Sequence, residues 1–208
     1  MEQVFTNIYN SNHWGIEQNE SRSGMGSTQQ YTENIQHELI NFIEEEDIKV
    51  MFDTSCGDWN WMKNIRGQLC SYLGVDIVKN IIETNKQLYS TEHIKFIHGD
   101  FLSHLKSLDD NSIDLILCRH TLEHLPSDYI KEFFNQCKRV TKYLLVTTYK
   151  TYSNMNRDLN FPSQTYRPIC LEYEPYKSIL EQYWIKSIYD GPDTPIKHEM
   201  YINLYKFN

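Results

Sequence analysis

The segment Asp53-Thr54-Ser55-Cys56-Gly57-Asp58-Trp59 constrains the fold more than any other stretch of these 208 residues. It follows the short apolar run Val50-Met51-Phe52 and opens into a helical pattern carrying Trp61, Met62 and Ile65. A buried strand, a carboxylate at its end and a tight turn into a helix form the unit from which open α/β sheets build nucleotide-like cofactor sites. The turn exposes backbone N–H groups, and ligands sit at the carboxyl ends of the strands.

Upstream, residues 1–31 are polar, with Trp14 the one large apolar anchor and a loop at Ser21-Arg22-Ser23-Gly24-Met25-Gly26-Ser27. Ser27 and Gln30 fit a helix-start box, and Ile35, Leu39, Phe42 and Ile43 then recur at helical spacing. The acidic run Glu44–Asp47 ends that helix as a solvated surface. Strands are expected at 49–53, 71–76, 94–98, 113–118 and 143–148, separated by helical patterns. One runs through Val78, Ile81, Ile82 and Leu88, and one starts at Ser127 with Ile130, Phe133, Phe134, Cys137 and Val140 on one face. Such alternation implies a mostly parallel sheet with right-handed crossovers. Residues 149–175 read as a polar insertion. A helix at 176–183, a strand at 184–189 and a last strand at 199–207 complete the chain, the final pair forming an antiparallel hairpin. One domain accounts for all 208 residues: an N-terminal lid segment (1–31), a cofactor-binding core (32–148), a substrate-side insertion (149–175) and a C-terminal helix and hairpin (176–208).

Composition narrows the partners. A formal net charge of −8 disfavours nucleic acid, whose phosphates call for a basic stripe. No apolar run approaches a membrane span of roughly 18 residues, and the first residues lack signal-peptide character. Five scattered cysteines without a CxxC pair fit reduced thiols in a cytoplasmic setting. A small-molecule substrate is expected.

Three further strand ends carry polar chemistry. Asp76 lies about 20 residues beyond the first turn, where dinucleotide folds keep a carboxylate for ribose hydroxyls. Gly99-Asp100-Phe101 offers an acceptor beside an aromatic face, and Cys118-Arg119-His120 ends the fourth strand. The G-x-G-x-x-G of NAD enzymes is missing from the first turn. His120-Thr121-Leu122-Glu123-His124 formally matches an inverted zinc-protease motif, but Pro126 disfavours the continuous helix that would aim both imidazoles at one metal. No metal site is expected.

Together these residues resemble the class I S-adenosylmethionine-dependent methyltransferases, over roughly residues 32–150 plus the terminal hairpin. That family's first turn reads approximately D-x-G-x-G-x-G; Asp53 and Gly57 match, while Ser55 and Trp59 stand where glycines are usual. The resemblance implies a Rossmann-like, seven-stranded sheet with an antiparallel last strand. It implies S-adenosylmethionine as cofactor, with S-adenosylhomocysteine as product. Asp53, Ser55, Cys56, Gly57 and Asp58 would cradle the cofactor, with Cys118 and Arg119 from the fourth strand. Asp76 would hold the ribose, Asp100 the adenine amino group, and Ile77 and Phe101 would flank the ring. Residues 21–27, 56–62 and 117–120 are also similar to a bacterial and viral subgroup associated with methylation of surface glycans and small metabolites. Trp14 and the segment Ser21, Arg22, Ser23, Gly24 and Ser27 would then form a lid over cofactor and acceptor.

Within this likeness His120, at the acceptor end, is the candidate catalytic base, with substrate positioning as its competing role. An alcohol must lose its proton on methylation, and an imidazole with an ordinary value near 6.5 can take it. His124 with Glu123 reads as a structural brace, and Arg119 as either an anchor for an anionic acceptor group or an ion-pair partner. The insertion brings Tyr149, Tyr152, Asn154, Asn156, Arg157, Tyr166 and Arg167, residue types that grip sugars or phosphates. The expected reaction is methyl transfer to an oxygen of a sugar, sugar nucleotide or glycan precursor. N-methylation of an amino sugar or small amine, and a non-catalytic cofactor-binding partner protein, are the alternatives.

Overall fold

The structure is a computed structural model and describes residues 1–15, 20–150, 156–191 and 200–207. Seven strands form one sheet: β1 (Val50–Asp53), β2 (Ser71–Asp76), β3 (Ile94–His98), β4 (Ile113–Cys118), β5 (Thr141–Tyr149), β6 (Trp184–Tyr189) and β7 (Met200–Lys206). Their order is β3-β2-β1-β4-β5-β7-β6. β1 to β5 run parallel, and β7 runs antiparallel to both of its neighbours, as the hairpin pattern predicted. The chain proceeds outward from β1 to β3 and returns to place β4 on β1's other side, opening a crevice at the carboxyl ends of β1 and β4.

Strand side chains alternate between two cores. Met51, Leu115, Leu117, Tyr143 and Leu145 share one cluster with Ile35, Leu39 and Phe42 of α2 (Gln29–Glu45) and Ile82 of α3 (Lys79–Tyr89). Phe52, Ile116, Cys118, Leu144 and Val146 enter the other. There they meet Phe101 and Leu102 of α4 (Phe101–Ser107) and Phe133 and Phe134 of α5 (Ser127–Val140). Both faces are therefore covered, as a largely parallel sheet requires.

Several local expectations change. The polar N-terminus holds a helix, α1 (Glu2–Asn10), whose Phe5 and Tyr9 pack with Val78 and Ile81. α2 starts after Thr28 without a side-chain cap, so the Ser27–Gln30 box does not form. Instead the Gln29 N–H donates to the Glu20 carboxylate at 2.8 Å. Leu88 is 62% exposed, because the inner face of α3 runs through Ile82, Asn85 and Tyr89. The helix at 176–183 shortens to α6 (Lys177–Leu180) and a 3-10 turn (Glu181–Tyr183). No described helix is long and apolar enough to cross a membrane.

Candidate active site

Asp76 organises the first turn. Its Oδ2 accepts the Gly57 N–H at 3.1 Å and its Oδ1 the Val78 N–H at 2.8 Å. The turn is also held by Asn85, whose amide donates to the Gly57 carbonyl at 2.7 Å. Gly57 has φ +54, and a Cβ there would lie 2.3 Å from Ser23 Oγ, so both conformation and space demand glycine. Trp59 resolves the departure from the family pattern. It takes φ +57 itself and turns its indole away from the cavity, against Tyr72, Tyr89 and Phe96. Burying that ring offsets the roughly 1–3 kcal/mol of a left-handed non-glycine residue.

Four carboxylates line the cavity: Asp53, Asp58, Asp76 and Asp100. Burial pushes Asp53 up to about 7, although Tyr72 donates to it at 2.7 Å. Burial likewise pushes Asp76 up to about 6, against the pull of its two backbone donors. At Asp100 burial also acts upward, but donors from Ser103 and Tyr129 outweigh it and hold the group below the usual range. Ile77, Phe101, Ser55, Cys56 and Gly57 line the same cavity. The cavity, of about 360 Å³, therefore carries one firmly ionised carboxylate, Asp100, and two, Asp53 and Asp76, that lose their protons only towards neutral pH. That suits a sulfonium nucleoside, whose positive charge would favour the ionised carboxylates.

Asp58 lines the cavity and also ties down the N-terminal segment. Its carboxylate accepts Ser21 Oγ (3.1 and 2.9 Å), the Arg22 N–H (2.7 Å) and Ser23 Oγ (3.0 Å). Ser23 Oγ in turn accepts the Asp58 N–H at 2.9 Å and meets Tyr9 OH at 2.8 Å. Asp58 therefore clasps the N-terminal segment to the first turn. Ser23, Gly24 and Ser27 reach the cavity wall, whereas Ser21 and Arg22 stay outside it in the clasp. Trp14 joins Phe5, His124 and Tyr166 in a line of ring contacts at 5.5–6.1 Å along the same wall.

At the end of β4, Cys118 is fully buried and points into the core rather than the cavity, by strand alternation. Arg119 is committed to a buried ion pair. Its Nε and Nη2 donate to Asp190 at 2.8–3.1 Å, and its Nη1 donates to the Gly26 carbonyl at 2.6 Å. The guanidinium also lies 5.4 Å from the centroid of Trp61. It is an internal brace between β4 and the N-terminal segment.

His120 takes φ +52, with its N–H on Thr147 Oγ1 at 3.0 Å. The kink turns the ring so that Nδ1 lies 3.3 Å from Glu123 Oε1. Nε2 is buried without a hydrogen-bond partner, 3.0 Å from where a side chain at Gly26 would begin and 3.8 Å from Asp190 Oδ2. Glu123 thus pairs with His120, not with His124 as expected. His124 Nδ1 instead donates to the Thr165 carbonyl at 2.6 Å, and burial pushes its imidazole down. Residues 122–124 form one 3-10 turn, and the described residues hold no metal-binding cluster.

The insertion divides. Tyr166 lines the cavity, while Tyr149 is buried behind it with its hydroxyl on Glu123 at 3.3 Å. Arg157 is exposed and outside the wall. Arg167 is buried, donating to the Leu125 carbonyl at 2.8 Å. Asn156 binds the Cys170 backbone through both ends of its amide. Tyr152 and Asn154 lie outside the described residues. Sequence reasoning passed over Tyr9, Tyr31, Tyr129 and Met200 on the wall. Their type gives no signal until the fold gathers them.

Residues 52–143 match the family model described as a methyltransferase domain. Solved structures with the same fold include 1,6-didemethyltoxoflavin-N1-methyltransferase of Burkholderia thailandensis, with S-adenosylhomocysteine bound. It is 14% identical with a TM-score of 0.68, and the match covers 100% of this chain and 87% of that one. Magnesium protoporphyrin IX methyltransferase of Synechocystis PCC 6803, with S-adenosylmethionine bound, is 13% identical with a TM-score of 0.63, covering 100% and 97%. The N-methyltransferase NodS of Bradyrhizobium japonicum WM9 is 10% identical with a TM-score of 0.61, covering 85% and 96%. No curated protein matches the sequence.

Proposed function

We propose that the protein transfers the methyl group of S-adenosylmethionine to an oxygen of a small uncharged acceptor, with His120 taking the proton. The observation that carries this reading is the buried Nε2 of His120, which has no hydrogen-bond partner. It lies at the end of β4, beside the carboxylate-lined cavity, on the side where Gly26 closes the lid. An acceptor O–H placed between Gly26 and the ring would supply the missing donor, so the Met25–Ser27 turn has to yield as the acceptor enters. Asp76 would hold the ribose hydroxyls and Asp100 the adenine amino group. Asp53 would lie near the positive charge, and the clasp on Asp58 would keep water out. The cofactor supplies a methyl group already activated by its sulfonium, so alignment does much of the catalytic work. The remaining task for the protein is the acceptor's proton, and Nε2 is the atom proposed to receive it.

Ring faces at Trp14, Tyr31 and Tyr166 support a sugar-sized acceptor. Apart from histidines, Arg119 is the one basic side chain among the described lining residues, and Asp190 already holds it. The reading therefore narrows from sugar nucleotides to uncharged sugar or phenol hydroxyls. Two of the structural relatives carry N-methyltransferase names, and an N–H acceptor would meet the same Nε2.

The test is release of S-adenosylhomocysteine across panels of free sugars, glycosides, phenols and small amines, repeated with His120→Ala. Oxygen methylation lost in the variant, with cofactor affinity retained, is expected. Turnover near the wild-type rate in His120→Ala overturns the base. Activity confined to amines overturns the oxygen acceptor, and the absence of heat with both cofactor forms in calorimetry overturns the cofactor.

A further inference from the structure

We infer that Glu123 is a positioning residue for His120: it holds the imidazole in the Nδ1–H form, so that the lone pair sits on Nε2 facing the lid. The inference rests on the proposed role of His120, and its observations are separate from that role. A neutral imidazole carries one proton, and its two nitrogens here face two carboxylates. Nδ1 lies 3.3 Å from Glu123 Oε1, within hydrogen-bond range. Nε2 lies 3.8 Å from Asp190 Oδ2, beyond it.

The two carboxylates are also unequal in what they still need. Asp190 already accepts three guanidinium contacts from Arg119 at 2.8–3.1 Å, so its charge is compensated. Glu123 is 1% exposed, its Oε2 has no partner, and its Oε1 receives a 3.3 Å contact from Tyr149 OH beside that from His120. Placing the lone pair at Nδ1 would set it against a buried, undercompensated carboxylate and remove one of that group's two donors. Placing the proton there satisfies both. Burial works to raise the Glu123 carboxyl, yet His120 first, with His124 and a backbone N–H, outweighs it and holds the group below its usual range, which fits an ionised acceptor.

The other groups around the ring agree. The His124 proton is committed at Nδ1 to the Thr165 carbonyl, so it makes no claim on Glu123. Tyr149 points at Glu123 and receives Tyr166 OH at 3.1 Å, forming a chain of donors that ends on the same carboxylate. The Thr147 hydroxyl fixes the His120 backbone in its left-handed kink, which brings Nδ1 to the residue three positions later. Glu123 thus acts only through His120. It touches neither cofactor nor acceptor and does not line the cavity.

Long-range ¹H–¹⁵N correlation of the imidazole nitrogens in the full-length protein tests this without any acceptor. At about pH 8.5, where an ordinary imidazole is neutral, His120 is expected in the Nδ1–H form by at least about tenfold. One charge-assisted hydrogen bond sustains that ratio. The signal is assigned by its loss in His120→Ala. Glu123→Gln, which keeps the shape and removes the charge, should shrink the excess to less than about threefold, and Glu123→Asp should partly restore it. Tyr149→Phe is a control for general disturbance and should leave the Nδ1–H form dominant, because Glu123 remains. A wild-type ring protonated at Nε2, or an unchanged ratio in Glu123→Gln, overturns the inference. Either result leaves the methyl-transfer reading standing on the acceptor screen. Calorimetry with S-adenosylhomocysteine establishes that each variant is folded.

Discussion

Replacing Asp58 with alanine is expected to release residues 21–23 from the first turn while leaving the sheet intact. The carboxylate receives three donors from that segment: Ser21 Oγ, the Arg22 N–H and Ser23 Oγ, at 2.7–3.1 Å. The group is half-buried, so a net value of about 1 kcal/mol per bond is appropriate rather than the larger value of a buried charge. The three together hold the segment by about 3 kcal/mol, and their loss raises the open population about 100-fold. Asn in place of Asp keeps one acceptor oxygen and should raise it about tenfold. Arg22 is exposed and provides the assay, because trypsin can cut after it when the clasp opens. When opening and closing are fast relative to cleavage, the cutting rate follows the open population. Mass spectrometry would follow that one cut, with urea unfolding as the check that the core is unaffected. A change below about threefold at Arg22, with the core intact, would refute the clasp. The N-terminal segment would then be held by Arg119 on Gly26 and by Asn60, which donates to the Ser27 carbonyl at 3.0 Å.

The cavity carboxylates make both cofactor binding and stability depend on pH. Asp53, near 7, and Asp76, near 6, must lose protons for their charge to meet a sulfonium, so S-adenosylmethionine affinity should rise between about pH 5 and 8. Calorimetry in buffers of different ionisation enthalpy should show proton release, and the neutral sulfur of S-adenosylhomocysteine should weaken the trend. A flat profile would count against both groups. In the ligand-free protein these carboxyls titrate above their ordinary value of 3.8, so the unfolded chain holds fewer protons in that window. Their contribution therefore falls as pH rises from about 4 to 7, seen as a lower melting temperature, other groups being equal. Asp76→Asn turns an amide toward one of two backbone N–H groups and should weaken S-adenosylhomocysteine binding about 30-fold, equivalent to about 2 kcal/mol. Trp59→Gly relieves the backbone but empties a buried indole site. A net loss of about 3 kcal/mol in urea unfolding is expected, with cofactor affinity unchanged.

The sequence alone determined the frame of this protein. β2, β3 and β4 appear at the residues the pattern predicted, because short apolar runs bounded by polar turns leave little choice of boundary. Asp53, Asp76 and Asp100 fell at one edge because parallel crossovers put successive strand ends there. Helix α4 escaped notice because it spans only 7 residues, too few to display a period. Tertiary structure decided which partner each polar side chain found. Asp58 went to Ser21 and Ser23, 35–37 positions earlier, and Arg119 to Asp190, 71 positions later. Glu123 went to His120 through a left-handed backbone kink. Strand placement follows from local periodicity, whereas a buried charge takes whatever opposite charge or donor the folded chain brings within about 3 Å.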